Sequence, residues 1–481
     1  MRTHSTAMLD ALIEPMLLAA KIPGAAIAVV ARGETVFARG YGYRDLSAKL
    51  PMTAQTVYPI ASTTKAINTT LLGMLVDEGK IGWDAPVRSY VPRFQLGNSQ
   101  LSAQVTIRDL ITMRTGLPRH DWSWMENAST RADLVDRLRY FDLSVDFRER
   151  FQYNNLTSTT AGYVAELVTG QSWEDLVRTR ILEPLGMSST TFTLPDTDNV
   201  SLSYHENSRR ELVVTRRIAT EVTAPSGGSI HSTVEDMARW AWFNLNGGNV
   251  GERSLINSKT LAEIHTPQMV VGADPTAPTP NAAYAMGWFV DFYNGYARVS
   301  HGGYLHDVNS EVMLFPTEDI GIVTFTNFGP PTLARQIIQH AFDLLMDIEP
   351  ALPVAETLAE YERRILENHQ RIAAVRRVKG TSPSQDLDAF SGSYVHPGYG
   401  RIAILHSNKT LVMRRNSLEL PLEHWHYDVW MVEENDLFPI HKLQPFDRSS
   451  RILFERNADG EISMLSIQLE PAVAPIRFTK Q

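Results

Sequence analysis

A serine and a lysine three residues apart are the first pair in this sequence that could carry out a reaction. Ser62 and Lys65 lie in a segment that follows Pro59 and leads into apolar residues at helical spacing, with a stop at Gly79. Residues i and i+3 share one helix face, so the hydroxyl and the amine can meet. A lysine whose pKa is lowered by burial and nearby cations can take the serine proton and create a nucleophile. Alone the pattern is weak, because most such pairs face solvent.

A tyrosine and an asparagine two residues apart form a second candidate pair. Tyr153-x-Asn155 lies just ahead of a predicted helix that covers 161–168 and stops at Gly170. A phenol near a cation can relay a proton. A carboxamide can hydrogen-bond both a lysine amine and a substrate amide. By itself the pattern is more typical of a turn with a satisfied tyrosine, so its weight comes from its companions.

A histidine followed by two glycines is the third candidate. His301-Gly302-Gly303 follows a predicted strand over 296–300. Small residues there let a ligand backbone come close, so that a neighbouring N–H group can face its carbonyl. Lone histidines are mostly structural, but the two glycines favour a place for this one at the mouth of a site.

Composition and charge limit the classes of protein to which the chain can belong. Of 481 residues, 43% are hydrophobic and 21% are charged, which is typical of a globular protein of two or three domains. The formal net charge of −9 argues against nucleic acid or an anionic membrane as the main partner. The absence of cysteine excludes disulfides, a thiol nucleophile and thiolate metal ligands.

The sequence predicts neither a cofactor nor a metal site. His424 and His426 alternate on one face of a predicted strand without a third ligand, so we expect them to be structural. Charged residues interrupt the apolar runs before Pro23, against a signal peptide, and no later run is long enough to span a membrane. We therefore expect a cytoplasmic protein, or a periplasmic one if a leader was removed.

The elements that must position the three motifs are predicted from periodicity and turn signals. Helical pieces and loops fill much of the region between 83 and 245, where a capping box at 232–235 predicts a helix over 236–244. The remaining predicted elements are helices over 6–20 and 332–346 and strands over 25–31, 35–42, 284–292, 296–300, 309–315 and 320–327.

Four other residues near the motifs have simpler interpretations. Trp122 and Trp124 either line a substrate cleft or pack inside the protein. Ser226 and Ser229 flank two glycines and have no base at a readable spacing, so they are interpreted as turn residues.

The C-terminal part of the chain has a different pattern of predicted secondary structure. A charged helix is predicted over 354–379, and a linker over 381–384 follows it. Seven or eight short strands then fall within some 95 residues, which predicts a small closed barrel. The candidate strands are 401–405, 410–414, 417–420, 429–432, 452–456, 461–469 and 476–479.

The three motifs, in this order and with these separations, resemble the serine hydrolases related to penicillin-binding proteins and class C β-lactamases. The stretches 106–118 and 181–187 are similar to that family as well, and the likeness covers roughly residues 5–348. Stretches 394–400 and 422–428 more loosely resemble the lipocalin-like domain appended to some peptidases of this group.

This resemblance implies an α+β fold in three parts. An antiparallel sheet flanked by helices lies beside a helical subdomain, and a small antiparallel β-barrel follows. The corresponding expectation is a hydrolase domain over 1–350, a helical linker over 351–384 and a lipocalin-like domain over 385–481.

The resemblance also implies roles for the residues of the motifs. Ser62 is the nucleophile, and Lys65 and Tyr153 share general-base and proton-relay work. Asn155 positions the substrate. The backbone N–H groups of Ser62 and of Tyr304, which follows Gly303, form the oxyanion hole.

Two departures from the family pattern bear on specificity. His301 stands where β-lactamases and carboxypeptidases usually have a lysine that pairs with a substrate carboxylate, and a histidine is mostly neutral at pH 7. This disfavours penicillins and carboxylate-terminal peptides, and it fits relatives that act as aminopeptidases, amidases or esterases. His306 and Asp307 replace an expected Gly-aromatic pair, and they either contribute to specificity or only form a turn.

The function expected from the sequence is a serine hydrolase that cleaves amide or peptide bonds of small peptides or amides through an acyl-enzyme. The alternatives are a carboxylesterase of the same family, with β-lactamase third, and a β-lactam- or partner-binding protein that turns over weakly or not at all. The expected partner is a small peptide or amide, with no nucleic acid and no membrane span, and a homo-oligomer stays open.

Overall fold

The computed structural model describes most of the chain. The described residues are 4–125, 129–207, 209–217, 219–271, 282–329, 331–349, 354–433 and 451–481. The α-helices of these segments are α1 (His4–Ala19), α2 (Thr64–Asp77), α3 (Ser99–Ser102), α4 (Ile107–Ile111), α5 (Arg131–Arg137), α6 (Asn155–Thr169), α7 (Trp173–Val177), α8 (Val234–Leu245), α9 (Ser258–Ile264), α10 (Pro331–Met346), α11 (Val354–Ala373) and α12 (Leu387–Phe390).

Short helical turns of other types connect these helices. The 3-10 turns are Ala61–Thr63, Val87–Ser89, Asp121–Ser123, Leu138–Tyr140 and Glu221–Ser226, and a π-helical turn covers Arg178–Leu182.

Strands of the first 330 residues form one large sheet and three small pairs. They are β1 (Gly24–Ala31), β2 (Glu34–Asp45), β3 (Leu50–Pro51), β4 (Tyr58–Pro59), β5 (Tyr204–Glu206), β6 (Leu212–Val214), β7 (His231–Ser232), β8 (Asn249–Val250), β9 (Arg253–Ser254), β10 (Met269–Val270), β11 (Ala283–Tyr284), β12 (Phe289–Tyr293), β13 (Tyr296–Leu305), β14 (Val308–Phe315) and β15 (Ile320–Thr326). The large sheet is antiparallel in the order β10-β11-β12-β13-β14-β15-β1-β2-β3.

The first strand of the chain lies inside this sheet, between β15 and β2. Its alternate residues enter two different cores, since Ala26, Ala28 and Val30 face one side and Ile27 and Val29 face the other. The side of Ile27 and Val29 packs against α1 and α10. The other side packs against α8 and, beyond it, the helical region that contains α2. A strand buried on both faces explains the nearly continuous apolar run in β1.

The C-terminal strands close into an eight-stranded antiparallel barrel. They are β16 (Gly392–His396), β17 (Gly400–Ser407), β18 (Thr410–Arg415), β19 (Leu418–His426), β20 (Val429–Val432), β21 (Arg451–Arg456), β22 (Ile462–Ile467) and β23 (Ile476–Lys480). Buried apolar side chains from these strands, such as Ile404, Met413 and Phe454, belong to one core cluster, which the barrel shares with the helical region. This packing explains the alternation of apolar and polar residues along the strands.

The fold class predicted from the sequence is confirmed, whereas several element boundaries are wrong. The helix predicted over 161–168 begins at Asn155, and the one predicted over 236–244 begins at Val234 behind a Thr233 cap. The charged helix ends at Ala373 rather than at 379. The barrel strand Gly392–His396 was not among the candidate strands. The domain boundaries stay a prediction.

Candidate active site

Ser62 lies in a tight turn that packs against the large sheet. The 3-10 turn Ala61–Thr63 runs directly into α2, and Ala61 has a φ of 48°, which is uncommon for a residue with a Cβ atom. Ser310 of β14 donates a hydrogen bond of 2.6 Å to the carbonyl oxygen of Ile60. The serine is partly exposed, while its neighbours Ala61 and Thr63 are buried. The turn therefore holds the Ser62 hydroxyl at the edge of a buried core.

Two glycines make this close approach between the turn and its surroundings possible. A Cβ atom on Gly303 of β13 would lie 2.5 Å from the oxygen of Ile60 and 2.3 Å from Ser310 Oγ. Gly227, with a φ of 123°, faces the other side, and a Cβ atom there would lie 2.8 Å from the backbone nitrogen of Ser62. The absence of a side chain at Gly303 is thus needed for the approach of the protein's own turn, whereas the sequence analysis attributes it to the approach of a ligand backbone, which stays a prediction.

Lys65 reaches three oxygen atoms inside the protein. Its Nζ lies 3.1 Å from Ser62 Oγ, and it donates to Asn155 Oδ1 at 2.7 Å and to the carbonyl oxygen of Ser226 at 2.6 Å. The side chain is almost fully buried. The predicted meeting of Ser62 and Lys65 is therefore present, although Ser62 lies in the 3-10 turn before α2 rather than in the helix itself, and Asn155 joins the same amine.

The environment of Lys65 favours its neutral form. Burial lowers the pKa of this amine well below its usual value, the charge of Arg119 lowers it further, and the charge of Asp121 raises it. A neutral amine has two N–H bonds and one lone pair. The two N–H groups of the neutral amine donate hydrogen bonds to Asn155 Oδ1 and to the Ser226 carbonyl oxygen. Its lone pair is therefore left for the third neighbour, the hydroxyl group of Ser62.

Tyr153 lies beside both of these groups. Lys65 Nζ is 4.7 Å from the centroid of its ring, and the ring also faces Arg119. Burial raises the pKa of the phenol, while a hydrogen bond with Ser62 and the charge of Arg119 lower it and the charge of Asp121 raises it. The net pKa is raised, so the phenol keeps its proton at neutral pH.

Asn155 connects the amine to a buried carboxylate. It occupies the first position of α6, directly after Asn154, whose side chain caps the helix by accepting from Thr157 N–H. While its oxygen accepts from Lys65, its Nδ2 donates to Asp121 Oδ1 at 3.1 Å. Both ends of the carboxamide are therefore occupied by protein groups, which fixes its orientation.

The structure places His301 below the site rather than at its mouth. The side chain is 1% exposed and packs among the rings of Tyr153, Tyr284 and Phe289. Its Nδ1 lies 2.6 Å from the carbonyl oxygen of Gly302. Mainly burial lowers the pKa of His301 to about 3. The ring is therefore neutral near pH 7, as the sequence analysis expects of a histidine at this position.

Strand β13 continues past the glycines to Leu305, and His306 and Asp307 form a two-residue turn into β14. Their φ angles of 51° and 63° are those of a type I′ hairpin. Asp307 also accepts hydrogen bonds from the hydroxyls of Tyr304 at 2.6 Å and Thr215 at 2.8 Å. These two residues therefore form a turn, and Asp307 also binds the Tyr304 hydroxyl.

Sequence reasoning missed three groups at this site. Ser226, interpreted as a turn residue, contributes its backbone carbonyl, which carries no side-chain signal. Arg119 and Asp121 form an ion pair at 2.6 Å beside Tyr153 and Asn155. Their signal was a charged pair immediately after the family-like stretch that ends at Pro118.

The tryptophans after this stretch are packing residues. Trp122 and Trp124 are 2% and 5% exposed. The indole of Trp124 donates to Asp121 Oδ1 at 3.0 Å, and Arg415 of the barrel lies over the ring of Trp122. They support the segment that carries Arg119 and Asp121 rather than line an open cleft.

The comparisons with known proteins agree with this architecture. A model of the family described as Beta-lactamase matches residues 9–345. The chain belongs to the beta-lactamase family. A second model, a domain of unknown function named DUF3471, matches residues 376–480 of this family member, which contain the barrel. The predicted family and the predicted barrel are confirmed.

Several relatives are similar over most of this beta-lactamase-family chain. The unguisins hydrolase ungD' of Aspergillus campestris is 28% identical and covers 80% of this chain and 74% of its own. Protein flp of Staphylococcus aureus strain MRSA252 is 29% identical and covers 74% and 70%. The structure of the octameric penicillin-binding protein homologue from Pyrococcus abyssi covers 99% and 100%, with a TM-score of 0.63 and 21% identity, and supports the fold alone.

Metal sites and membrane spans complete the description of this beta-lactamase-family protein. In the described segments, no cluster of three or more His, Asp or Glu side chains is arranged to hold a metal ion. None of the helices in the same segments is both long and apolar enough to cross a membrane.

Proposed function

We propose that this chain is a serine hydrolase that cleaves amide or peptide bonds of small peptides or amides through an acyl-enzyme on Ser62. The observation that carries the proposal is the set of contacts around Lys65 Nζ. Two carbonyl acceptors and a buried environment leave the amine lone pair for the Ser62 proton. The hydrolase named among the relatives, the unguisins hydrolase, supports a hydrolytic reaction.

In the first step Lys65 takes the proton of Ser62 while Oγ forms a bond to the carbonyl carbon. The electron pair of the C=O bond moves to the oxygen. The N–H groups of Ser62 and Tyr304 are proposed to stabilise that oxyanion, because β13 packs directly on the Ser62 turn. Asn155, fixed by Lys65 and Asp121, keeps the amine aimed at the serine.

In the second step the C–N bond breaks, and the leaving nitrogen needs a proton. The phenol of Tyr153 supplies it, since its raised pKa keeps it protonated, and it regains a proton from the Lys65 ammonium. Water then attacks the acyl-enzyme by the reverse route, and Ser62 recovers its proton while the acid product leaves.

A carboxylesterase is the second candidate, supported by the same nucleophile and oxyanion site. An alkoxide leaving group depends less on a proton donor than an amide nitrogen does. The protonated phenol of Tyr153 beside Ser62 therefore favours amide cleavage over an activity limited to esters.

The proposal is tested by steady-state hydrolysis of a small substrate panel. The panel contains aminoacyl and short-peptide nitroanilides of both chiralities, a nitrophenyl ester and nitrocefin, with Ser62→Ala as the control. Turnover of an anilide that Ser62→Ala loses is the expected result. Ester turnover alone would favour the esterase. Labelling of Ser62 by a fluorophosphonate without any turnover would favour a binding protein.

A further inference from the structure

Arg119 brings a guanidinium group to the candidate active site. Its Cζ lies 5.1 Å from the centroid of the Tyr153 ring, and Lys65 Nζ lies 4.7 Å from the same centroid. Its side chain is 46% exposed, although its neighbours on the same segment are buried. The charge of Arg119 lowers the pKa of both Lys65 and Tyr153. Arg119 thus borders the space that a substrate of Ser62 would occupy.

One edge of this guanidinium is occupied and the other is available. The Nε atom donates to Asp121 Oδ2 at 2.6 Å. Within the segments that the structure describes, no hydrogen bond of Nη1 or Nη2 is found. Asp121 has little capacity left for them, because its Oδ1 already accepts from Asn155 and Trp124. The two terminal amino groups can therefore bind another acceptor.

The backbone that carries Arg119 is fixed by the barrel. The next residue, His120, has φ 46° and ψ 36°, a left-handed conformation that is costly for a side-chain-bearing residue. Its N–H donates to Glu470 at 2.9 Å, and its ring nitrogens lie 2.7 Å from Tyr399 Oη and 3.1 Å from the Asp142 oxygen. These contacts fix the backbone next to Arg119, and the hydrogen bond of Nε to Asp121 orients the guanidinium, so less entropy is lost when it binds a ligand.

Three basic side chains in the described segments lie against the Tyr153 ring, namely Lys65, His301 and Arg119, and of these Arg119 keeps its positive charge at neutral pH. His301 is buried and neutral, and Lys65 is held in an environment that favours the neutral amine. A fixed guanidinium with two unshared amino groups matches the two oxygens of a carboxylate, and such pairs are stronger and more directional than those of an ammonium.

We propose that Arg119 is the anion subsite of this active site and binds a carboxylate of the substrate. This inference rests on the proposed function, because it concerns the substrate of Ser62. The carboxylate belongs either to the C-terminus of a peptide or to an aspartate or glutamate side chain. In both cases Arg119 would bind the substrate carboxylate, which in β-lactamases is bound by a lysine at the position of His301.

The subsite can be tested without knowledge of the natural substrate. Arylboronic acids form a reversible adduct with a nucleophilic serine and block its labelling by a fluorophosphonate. We would compare 3- and 4-carboxyphenylboronic acid with the matching carbamoyl compounds in the wild type, Arg119→Gln, Arg119→Lys and the exposed control Arg363→Gln. The measured quantity is the ratio of inhibition constants within each acid–amide pair.

The expected result is a preference of roughly tenfold for a carboxylate in the wild type and in Arg363→Gln. The preference should shrink in Arg119→Lys and vanish in Arg119→Gln. Equal binding of acid and amide by the wild type, or a preference that survives Arg119→Gln, would overturn the subsite while leaving the hydrolase intact. Absence of any Ser62 labelling or boronate binding would instead overturn the proposed function, and the subsite with it.

Substrate pairs then distinguish the two sources of the carboxylate. One pair is a peptide with a free or an amidated C-terminus, and the other has glutamate or glutamine at the residue that donates the acyl group. A preference of kcat/KM for the acid in the first pair identifies a C-terminal carboxylate, and in the second pair a side chain. No preference in either pair contradicts the proposal.

Discussion

At the scale of single residues, two opposite charges act on one amine. Burial is the largest cause of the lowered pKa of Lys65, but Arg119 lowers it further and Asp121 raises it. The two charged residues are ion-paired with each other, so the balance between them adjusts the proton affinity of the candidate base.

This balance predicts pH shifts of opposite sign. Removing the cation in Arg119→Gln raises the pKa of Lys65, so the acidic limb of the Ser62 labelling rate should move to higher pH. Removing the anion in Asp121→Asn lowers that pKa and should move the limb to lower pH. The measurement is the fluorophosphonate labelling rate against pH. Shifts of the same sign in both variants would contradict this electrostatic account.

Substitutions of Lys65 and of His301 are expected to affect different kinetic parameters. Lys65→Ala should slow acylation of Ser62 by roughly 10²- to 10⁴-fold, because it removes the proton acceptor. His301→Ala should mainly raise KM, since the neutral ring packs under the site and has no titration near pH 7. Single-turnover acylation and steady-state KM are the two readouts. Normal acylation in Lys65→Ala with an inactive His301→Ala would reverse the assignment.

The sequence predicts those residues of the candidate site whose side chains belong to the three ordered motifs. Ser62, Lys65 and Asn155 do meet, as their motifs indicate. Ser226 contributes only a carbonyl oxygen, which every residue has, so no residue pattern could single it out. Arg119 depends on a left-handed residue and on contacts with the barrel, and neither is visible along the chain.

At the scale of elements, the decisive contact is between β13 and the turn that carries Ser62. The strand approaches so closely because position 303 has no side chain. Position 82 is a useful reference, since the nearest atom to a Cβ there would lie 3.6 Å away.

Gly303→Ala should therefore impair the reaction while Gly82→Ala does not. The added methyl group would push β13 away from Ile60 and Ser310 and displace the Tyr304 N–H from the proposed oxyanion site. We expect a loss of roughly 10²- to 10³-fold in kcat and about 1–3 kcal/mol in the free energy of unfolding. Kinetics together with chemical denaturation of both variants check this, and a fully active Gly303→Ala would disprove the role of the close approach.

The elements themselves were predicted unevenly for physical reasons. The long central strands of the large sheet were predicted because buried runs and an Asn-Gly turn mark them. The two-residue strands β3 and β10 were not predicted, and the strand predicted over 284–292 is interrupted between β11 and β12. The turn at His306 and Asp307 is only one of two alternatives in the sequence analysis, since neither residue is glycine or asparagine. Its positive φ angles are enforced by strand pairing on both sides and by the hydrogen bonds of Asp307.

At the scale of the whole molecule, the barrel contacts the segment 119–124, which borders the candidate site. Its residues Tyr399 and Glu470 bind His120, and its Arg415 covers Trp122. The barrel is thus a support for residues 119–124 as well as an appended domain.

Glu470→Ala should weaken this support. The variant leaves the buried His120 N–H without its carboxylate partner, which costs about 1–3 kcal/mol and removes a constraint on the left-handed backbone. We expect slower Ser62 labelling and a lower Tm, whereas Glu419→Ala, at an exposed position of the same barrel, should change neither. Unchanged labelling in Glu470→Ala would show that the segment holds its conformation without the barrel.

The position of β1 also has a consequence for the synthesis of this protein on the ribosome. Ala25 to Ala31 pair with β15, which is made roughly 300 residues later. At about 5–20 residues per second, the apolar edge of β1 waits roughly 15–60 s for its neighbour. During that interval the nascent chain exposes a strand that can pair wrongly, so a folding helper that shields the N-terminal hairpin should raise the yield of native protein.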